Sequence, residues 1–372
     1  MSAGCVYDVA VVGLGAVGSG ALYEMSKRKI NCIGIEQFSL NHDQGSTHGD
    51  TRAIRKAYFE DPNYVPLLQR SYQLWEEWEK ELGSELLFKT GCAVIGTAQS
   101  PVIKGCLESA RTHQLSHELS SASDFTQKHP IFNLNSKEEV FFESDGGYLL
   151  LDTALKAIHQ RLKKNSVPIL ENTQILSWKK KEQHYEIQSS AGPLLSKKII
   201  FSMGPWASKE FLNVKLPLKV KRVVLFWFKA AKEASKMPLY FKECDNGTWF
   251  YGFPSLDNKM KVAFHNVHTP CTPQSVNRNV EKNEIQQMEN YVRELIPSIG
   301  SFVEAKTCLY TMTPDEHFIV DALPDDLKNL FVVAGLSGHG FKFMPVLGEI
   351  CADWAQGKTQ RNSLEFLSLK RF

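Results

Sequence analysis

Tyr7-Asp-Val-Ala-Val-Val-Gly13-Leu-Gly15-Ala-Val-Gly18 is followed, one helix further on, by Cys32-Ile-Gly-Ile-Glu36. Val9 to Val12 is a continuous apolar run, the pattern of a parallel strand covered on both faces. The glycines after it permit a tight turn and a close approach of backbone to a pyrophosphate, and a helix from about Ala16 to Lys27 would aim its free N–H groups at the phosphates. Glu36 closes the second short strand at the offset where a carboxylate accepts hydrogen bonds from ribose hydroxyls, which favours a non-phosphorylated ribose. G-x-G-x-x-G alone also occurs in glycine-rich turns of other α/β folds. Strand, turn, helix, strand and acid in this order make a dinucleotide cradle the reading of this chain.

At 372 residues the chain is long enough for two domains, or for one large α/β domain with an insertion. Its 43% hydrophobic and 23% charged content is that of a globular protein. The net charge of +2 arises from 43 basic and 41 acidic residues that are interspersed, so no basic stripe would draw a nucleic acid. No apolar run is long enough to span a bilayer, Met1-Ser-Ala-Gly-Cys5 has no leader pattern, and Leu369-Lys-Arg-Phe372 is not an S-K-L address. A cytoplasmic protein is expected. The eight cysteines include no C-x-x-C pair, which argues against structural zinc and against a disulfide scaffold; no metal site is expected.

Beyond Glu36, the polar segment from Asn41 to Arg55 is read either as a solvated loop or, because of its unusual side chains, as a functional one. Val65 to Leu82 has the period of a packing helix ended by Gly83. Leu86 to Thr97 reads as strand, turn and strand, Pro101 to Gln114 as a helix, and Ser120 to Phe142 has no clear period. A helix capped by Asp152 carries Leu155, Ile158 and Leu162, and after a hairpin the strand Ile199 to Ser202 runs into a Met203-Gly204-Pro205-Trp206 turn.

From Lys215 the pattern is β, with Asn246-Gly247 as a hairpin turn. Alternation places Lys261, Ala263 and His265 on one strand face and Met260, Val262 and Phe264 on the other, so Lys261 and His265 project together toward solvent or toward a cleft. A helix is expected from about Asn277 to Leu295. At the end, a buried strand Leu330 to Ala334 leads through Gly335-Leu-Ser-Gly338-His339-Gly340 into a helix from Phe341 to Ala355. Lys342 then stands in the first helical turn, where the macrodipole disfavours a cation and an anionic partner would compensate. Cys308, judged from its own surroundings, fits a buried core thiol.

Three blocks together, Gly45-Ser-Thr-His48-Gly-Asp50-Thr51-Arg52-Ala-Ile-Arg55, Cys308-Leu-Tyr310-Thr-Met-Thr-Pro314-Asp315-Glu-His-Phe318-Ile-Val-Asp321 and Gly335-Leu-Ser-Gly-His339-Gly-Phe-Lys342-Phe, resemble the monomeric sarcosine oxidase family, which includes N-methyl-L-tryptophan oxidase and pipecolate oxidase. The resemblance runs from Tyr7 to about Phe372, and the tail from Gly335 to Gln356 is most similar to the N-methyltryptophan oxidase branch. It implies a flavin amine oxidase holding FAD through the dinucleotide fold and through a thioether from Cys308 to the flavin 8α carbon. It further implies that Arg55 and Lys342 bind the substrate carboxylate and that Lys261 and Arg52 supply positive charge beside the flavin for reaction with oxygen. Tyr251, His265 and Tyr310 match substrate-pocket positions, and His48 and Thr51 match positions beside the flavin. Gly338, His339 and Gly340 form the turn near its pyrimidine end, and the helix start at Phe341 would stabilise negative charge on the reduced ring.

The expected fold is therefore α/β, or α+β taken as a whole. It comprises a Rossmann-like FAD-binding domain of the glutathione-reductase-like type, from residues 1–83, 150–212 and 318–372, and a mixed-sheet substrate domain from 84–149 and 213–317. The expected activity is oxidation of a secondary amino acid, N-methyl-L-tryptophan or sarcosine in the first place, to an imine with O2 reduced to H2O2, by a monomer. L-Pipecolate and fructosyl amino acids are the alternative substrates, a dehydrogenase feeding an electron carrier the alternative enzyme, and a non-catalytic FAD-binding protein the alternative class. The segments Ser120 to Phe142 and Lys229 to Asp245 are expected to shape the pocket.

Overall fold

The computed structural model describes residues 5–207, 214–324, 327–358 and 364–372; Met1 to Gly4, and Leu212, where one domain boundary is expected, lie outside them. Strand Val6–Val12 is central to an eight-stranded sheet. It pairs in parallel with Cys32–Ile35 on one side and Gly192–Phe201 on the other, and Ile169–Leu170 and Leu330–Ala334 extend the parallel run outward. The hairpin Ile175–Lys180 and Tyr185–Ser189 joins antiparallel at one edge, and Ile319–Ala322 pairs antiparallel with Leu330–Ala334. Both faces of Val9 to Val12 are buried, as an uninterrupted apolar run requires.

Helices Ala16–Lys27 and Met344–Ala355 pack against each other closely enough to need glycine at the crossing. A Cβ on Gly348 would lie 2.6 Å from the carbonyl of Gly20, and one on Gly20 would lie 2.7 Å from the Met344 oxygen. The two segments that carry the expected cofactor turns, near residue 15 and near residue 340, are thereby held side by side.

A second sheet of nine strands is mixed. Its order runs Thr269–Pro270, Lys219–Lys229, Lys259–Phe264, Trp249–Gly252, Leu239–Glu243, Cys92–Thr97, Glu138–Glu143, Glu118–Ser121, with Phe302–Met312 paired to Lys219–Lys229. Thr51–Ile54, Gly147–Leu150 and Leu87–Phe88 form a small third sheet. Leu87–Phe88 and Cys92–Thr97 thus belong to different sheets, and the turn at Gly91 (φ +83°) is a crossing between them. Asn246-Gly247 does connect antiparallel neighbours, with Gly247 at φ +76°.

Several element boundaries differ from expectation for identifiable reasons. The helix Leu151–Lys164 begins directly from a strand, so Leu150 is its N-cap and Asp152 lies within its first turn. The Asn277 helix starts at Lys282: Arg222 takes the carbonyls of Asn277 and Asn279 and the carboxylate of Glu284, which holds residues 277–280 as a loop, and a Glu281/Glu284 capping box then starts the helix. The last helix starts at Met344, with Pro345 in its first turn and Phe341–Phe343 forming a preceding 3-10 turn, so Lys342 precedes the α-helix. Ser120 to Phe142, which has no readable period, holds strand ends around the short helix Ala122–Lys128.

Candidate active site

One cavity of about 380 Å³ runs from the first turn of the parallel sheet to the second sheet. At the sheet end, Gly13 adopts φ +88° and a Cβ there would lie 2.7 Å from Ser202 O, while a Cβ on Gly18 would lie 1.8 Å from Gly13 O. A Cβ on Gly15 would meet nothing closer than Thr47 Oγ1 at 3.4 Å, so its backbone faces open space. Glu36 lines the same end; it accepts from Leu14 N at 2.8 Å and Phe38 N at 3.0 Å, and His42 Nε2 is 3.5 Å away. Burial raises the pKa of this carboxyl, but the His42 and backbone donors more than offset it, and Glu36 is held ionised below its usual range.

The segment 45–55 is a functional-looking wall. Arg52 donates to the carbonyls of Ser46, His48 and Thr51 at 2.9, 2.7 and 2.8 Å, and Lys261 reaches from the second sheet to Gly49 O and Thr51 O at 2.5 and 2.7 Å. Lys261 is 4% exposed, so the solvated alternative does not hold for it: from Met260 to Phe264 both faces of the strand are buried. Burial, then the Arg52 charge, hold its pKa well below normal. His48 and Thr51 are buried beside this clamp, and both His48 ring nitrogens and Thr51 Oγ1 have no hydrogen-bond partner among the described residues. Cys308 stands behind the same segment, its Sγ 3.5 Å from Ser46 O; burial pushes the thiol up in spite of Arg52 and Lys261.

At the far end two cations meet. Arg55, 2% exposed, donates to Glu60 at 2.7 Å and Ala57 O at 2.6 Å, and its guanidinium lies 4.0 Å from the Phe59 ring centroid and 4.6 Å from that of Tyr58. Burial disfavours its charge, and Glu60 restores it above the ordinary value. The Arg55 Nε has no hydrogen-bond partner among the described residues. Lys342, 5% exposed, donates to His339 O at 2.8 Å and to Tyr58 Oη at 3.4 Å; burial, then Arg55, lower its pKa to about 7. Such a pair of buried cations has the charge and the N–H donors that a carboxylate would need.

Aromatic rings wall this end. His265 lies on Trp249 at 4.2 Å and faces Tyr310 at 5.7 Å, and Tyr251 lies 6.4 Å from His265. Burial lowers the His265 pKa to about 4, so the ring is neutral. Gly338, at φ +82°, lets Tyr310 lie on the turn, since a Cβ there would be 2.3 Å from the ring.

Of the residues singled out in the sequence, Gly13, Gly15, Glu36, Arg52, Arg55, Tyr251, His265, Tyr310, Gly338, His339, Gly340 and Lys342 line the cavity. Gly18, His48, Thr51, Lys261 and Cys308 stand behind that lining. Ser120 to Phe142 contributes no lining residue and Lys229 to Asp245 contributes only Phe241, because the former lies at the far edge of the second sheet. Tyr58, Phe59, Glu60 and Trp249 were not singled out. Trp249 is two residues from Tyr251 and so shares its strand face, and Glu60 is an acid five residues after Arg55; both signals are present in the chain. The open backbone at Gly15 and the ionised Glu36 at the same end fit a flavin dinucleotide lying along the cavity. Among the described residues no group of three or more His, Cys, Asp or Glu side chains could hold a metal ion, and no helix is long and apolar enough to cross a membrane.

Residues 8–354 match the family model described as FAD dependent oxidoreductase. Among curated proteins, the chain is 33% identical to a monomeric sarcosine oxidase of Streptomyces avermitilis, over 98% of this chain and 97% of that one. It is 32% identical to an N-methyl-L-tryptophan oxidase of Salmonella enteritidis, over 98% and 99%. Among solved structures, it superposes on NikD, described as an unusual amino acid oxidase essential for nikkomycin biosynthesis, with a TM-score of 0.86 at 20% identity, covering 98% of this chain and 97% of that one. A glycine oxidase from Geobacillus kaustophilus gives 0.83 at 18% identity, over 98% and 99%. These two show a shared fold.

Proposed function

The chain belongs to the monomeric sarcosine oxidase and N-methyl-L-tryptophan oxidase family of FAD-dependent amine oxidases, and on that premise we propose that it oxidises a secondary, N-methylated amino acid to an imine, with O2 reduced to H2O2 and formaldehyde released on hydrolysis. The observation that supports this reading most is the convergence of Arg55 and Lys342 on the inner end of the cavity that begins at Gly13 and Gly15. Sarcosine and N-methyl-L-tryptophan are the substrates to test first.

When bound, FAD accepts the two electrons of C–N oxidation and delivers them to O2. Gly15 leaves room for the pyrophosphate, Gly13 makes the tight turn before it against Ser202, and Glu36 would accept from the ribose hydroxyls. Arg55 and Lys342 would hold the substrate carboxylate, which orients the amine and its C–H bonds. The amine reacts unprotonated; two neighbouring cations and a neutral His265 disfavour an ammonium in this part of the cavity. Tyr251, Tyr310, Phe59 and Trp249 exclude water around it. Arg52 supplies fixed positive charge where oxygen would gain negative charge, and beside it Lys261 is a buried amine whose protonated form that negative charge would favour. Cys308 is the residue assigned to a covalent 8α thioether, and the enzyme is read as a cytoplasmic monomer.

The test is the visible spectrum of the purified protein before and after acid precipitation, then a peroxide assay with sarcosine, N-methyl-L-tryptophan and L-pipecolate. Yellow colour retained in the pellet and peroxide with an N-methyl amino acid are expected. Colour released to the supernatant would remove the thioether. Colour without peroxide from any of the three would overturn the oxidase reading.

A further inference from the structure

Tyr58 touches both cations of the proposed carboxylate clamp, yet no part of the expected chemistry uses it. Its ring centroid lies 4.6 Å from the Arg55 guanidinium and 5.1 Å from Lys342 Nζ. Its hydroxyl is 2.5 Å from His339 Nδ1 and accepts from Lys342 Nζ at 3.4 Å. The side chain is fully buried, and burial, with Glu60 nearby, holds the phenol protonated.

The direction of each hydrogen bond follows from the groups available. His339 Nε2 faces the backbone oxygen of Glu316 at 3.1 Å, which can only accept, so the ring hydrogen is on Nε2. Nδ1 is then an acceptor, and the Tyr58 O–H donates to it. The lone pairs of the same oxygen face Lys342. An ammonium has three N–H donors; one goes to His339 O, one to Tyr58 Oη, and the third is free for the cavity that Lys342 lines. Two like charges are brought to one place over the negative face of one ring, which lowers the cost of their proximity.

We propose that Tyr58 is the positioning residue of the carboxylate clamp, aiming Lys342 through its hydroxyl and backing both Lys342 and Arg55 with its ring. The proposal rests on the clamp reading above. It applies to substrate binding and leaves the dinucleotide end of the cavity untouched. The groups that face Lys342 are Arg55, Glu60, Cys92, His339, His265 and Tyr58 itself, and none of the first five replaces the phenol oxygen as an acceptor for its second N–H.

The experiment compares wild type with Tyr58→Phe, Tyr58→Leu and Lys342→Ala, all as flavin-loaded protein, titrating acetate against the absorbance spectrum of the bound flavin between pH 6 and 9. Tyr58→Phe keeps the ring and should weaken acetate about three- to tenfold. Its loss of affinity with rising pH should set in at lower pH than in wild type, because Lys342 has lost an acceptor that favours its charged form. Tyr58→Leu should weaken acetate further, and in both variants flavin content should match wild type. Acetate binding to Tyr58→Phe with wild-type affinity and pH dependence, while Lys342→Ala is weakened, would overturn the role of Tyr58 alone. Lys342→Ala binding acetate as wild type does, or wild type not binding it, would overturn the clamp and with it this inference. If Tyr58→Leu fails to fold, Tyr58→Phe decides.

Discussion

Glu60 accepts a hydrogen bond from Arg55 Nη2 at 2.7 Å, so one cation of the proposed clamp already has a carboxylate partner from its own chain. Among the described residues Arg55 Nε has no hydrogen-bond partner, and one N–H of Lys342 is left beyond those given to His339 O and Tyr58 Oη. Burial raises the Glu60 pKa, but Arg55 dominates and holds it at about 2. A carboxyl depressed in the folded state contributes stability that is present above its unfolded pKa and lost as pH falls toward the folded one. Glu60→Gln should therefore lose the part of acid destabilisation that wild type shows below about pH 4.5. At neutral pH, Glu60→Ala should be destabilised by about 3–5 kcal/mol, since it leaves a buried guanidinium unpaired. Melting temperature against pH, for both variants, measures this.

Lys342→Met should raise the substrate KM about ten- to a hundredfold, the value of a hydrogen bond to a charged group, while flavin stays bound. The sign for stability is the opposite. With its folded pKa lowered to about 7, the folded protein binds fewer protons at Lys342 than the unfolded chain up to the ordinary lysine pKa, so this lysine's contribution to stability rises with pH through that window. At pH 7 the methionine variant is expected to melt at or above the wild-type temperature. A lower melting temperature with unchanged KM would contradict both parts.

Gly18→Ala places a Cβ 1.8 Å from Gly13 O, and no side chain can yield because the obstacle is backbone. The turn proposed to face the pyrophosphate must then shift. Purified variant protein should carry much less flavin, read as the ratio of absorbance near 450 nm to that at 280 nm, with far-UV circular dichroism close to wild type.

Lys261→Met should slow the reaction of reduced flavin with O2 by about a hundredfold while leaving reduction by substrate largely intact. The same change removes the donors to Gly49 O and Thr51 O. Stopped-flow measurement of the two half-reactions separates the outcomes: equal slowing of both would point to a disturbed loop in place of a lost charge.

Cys308→Ser should release the yellow colour to the supernatant on acid precipitation while the folded protein still binds FAD through Gly13, Gly15 and Glu36. The buried thiol lies 3.5 Å from Ser46 O, within the wall that Arg52 clamps. Colour remaining in the pellet of this variant would place the attachment elsewhere.

Local pattern carried much of this molecule. Val9 to Val12, the glycine turn and Glu36 could be read because a parallel strand and a phosphate-facing helix start each impose residue types at short, fixed spacing. Helices Val65–Leu82 and Ala16–Lys27 and the Asn246-Gly247 turn were legible for the same reason. Boundaries failed where a distant residue intervened: Arg222, 55 residues away from Asn277 in sequence, holds that segment out of the helix, and the strand ending at Leu150 displaces Asp152 from the cap.

By itself, the sequence determined the dinucleotide sheet, the alternation that puts Lys261 and His265 on one face, and, through its three motif blocks, the family. Only the tertiary structure decided that Lys261 is buried, that it ends on the carbonyls of Gly49 and Thr51, that Glu60 already holds Arg55, and that Tyr58 lies beneath both Arg55 and Lys342. The physical reason is range. Periodicity and turn chemistry act over a few residues, whereas Tyr58 and His339 meet across 281 positions of chain, and a hydrogen bond at that separation leaves no local mark on either residue.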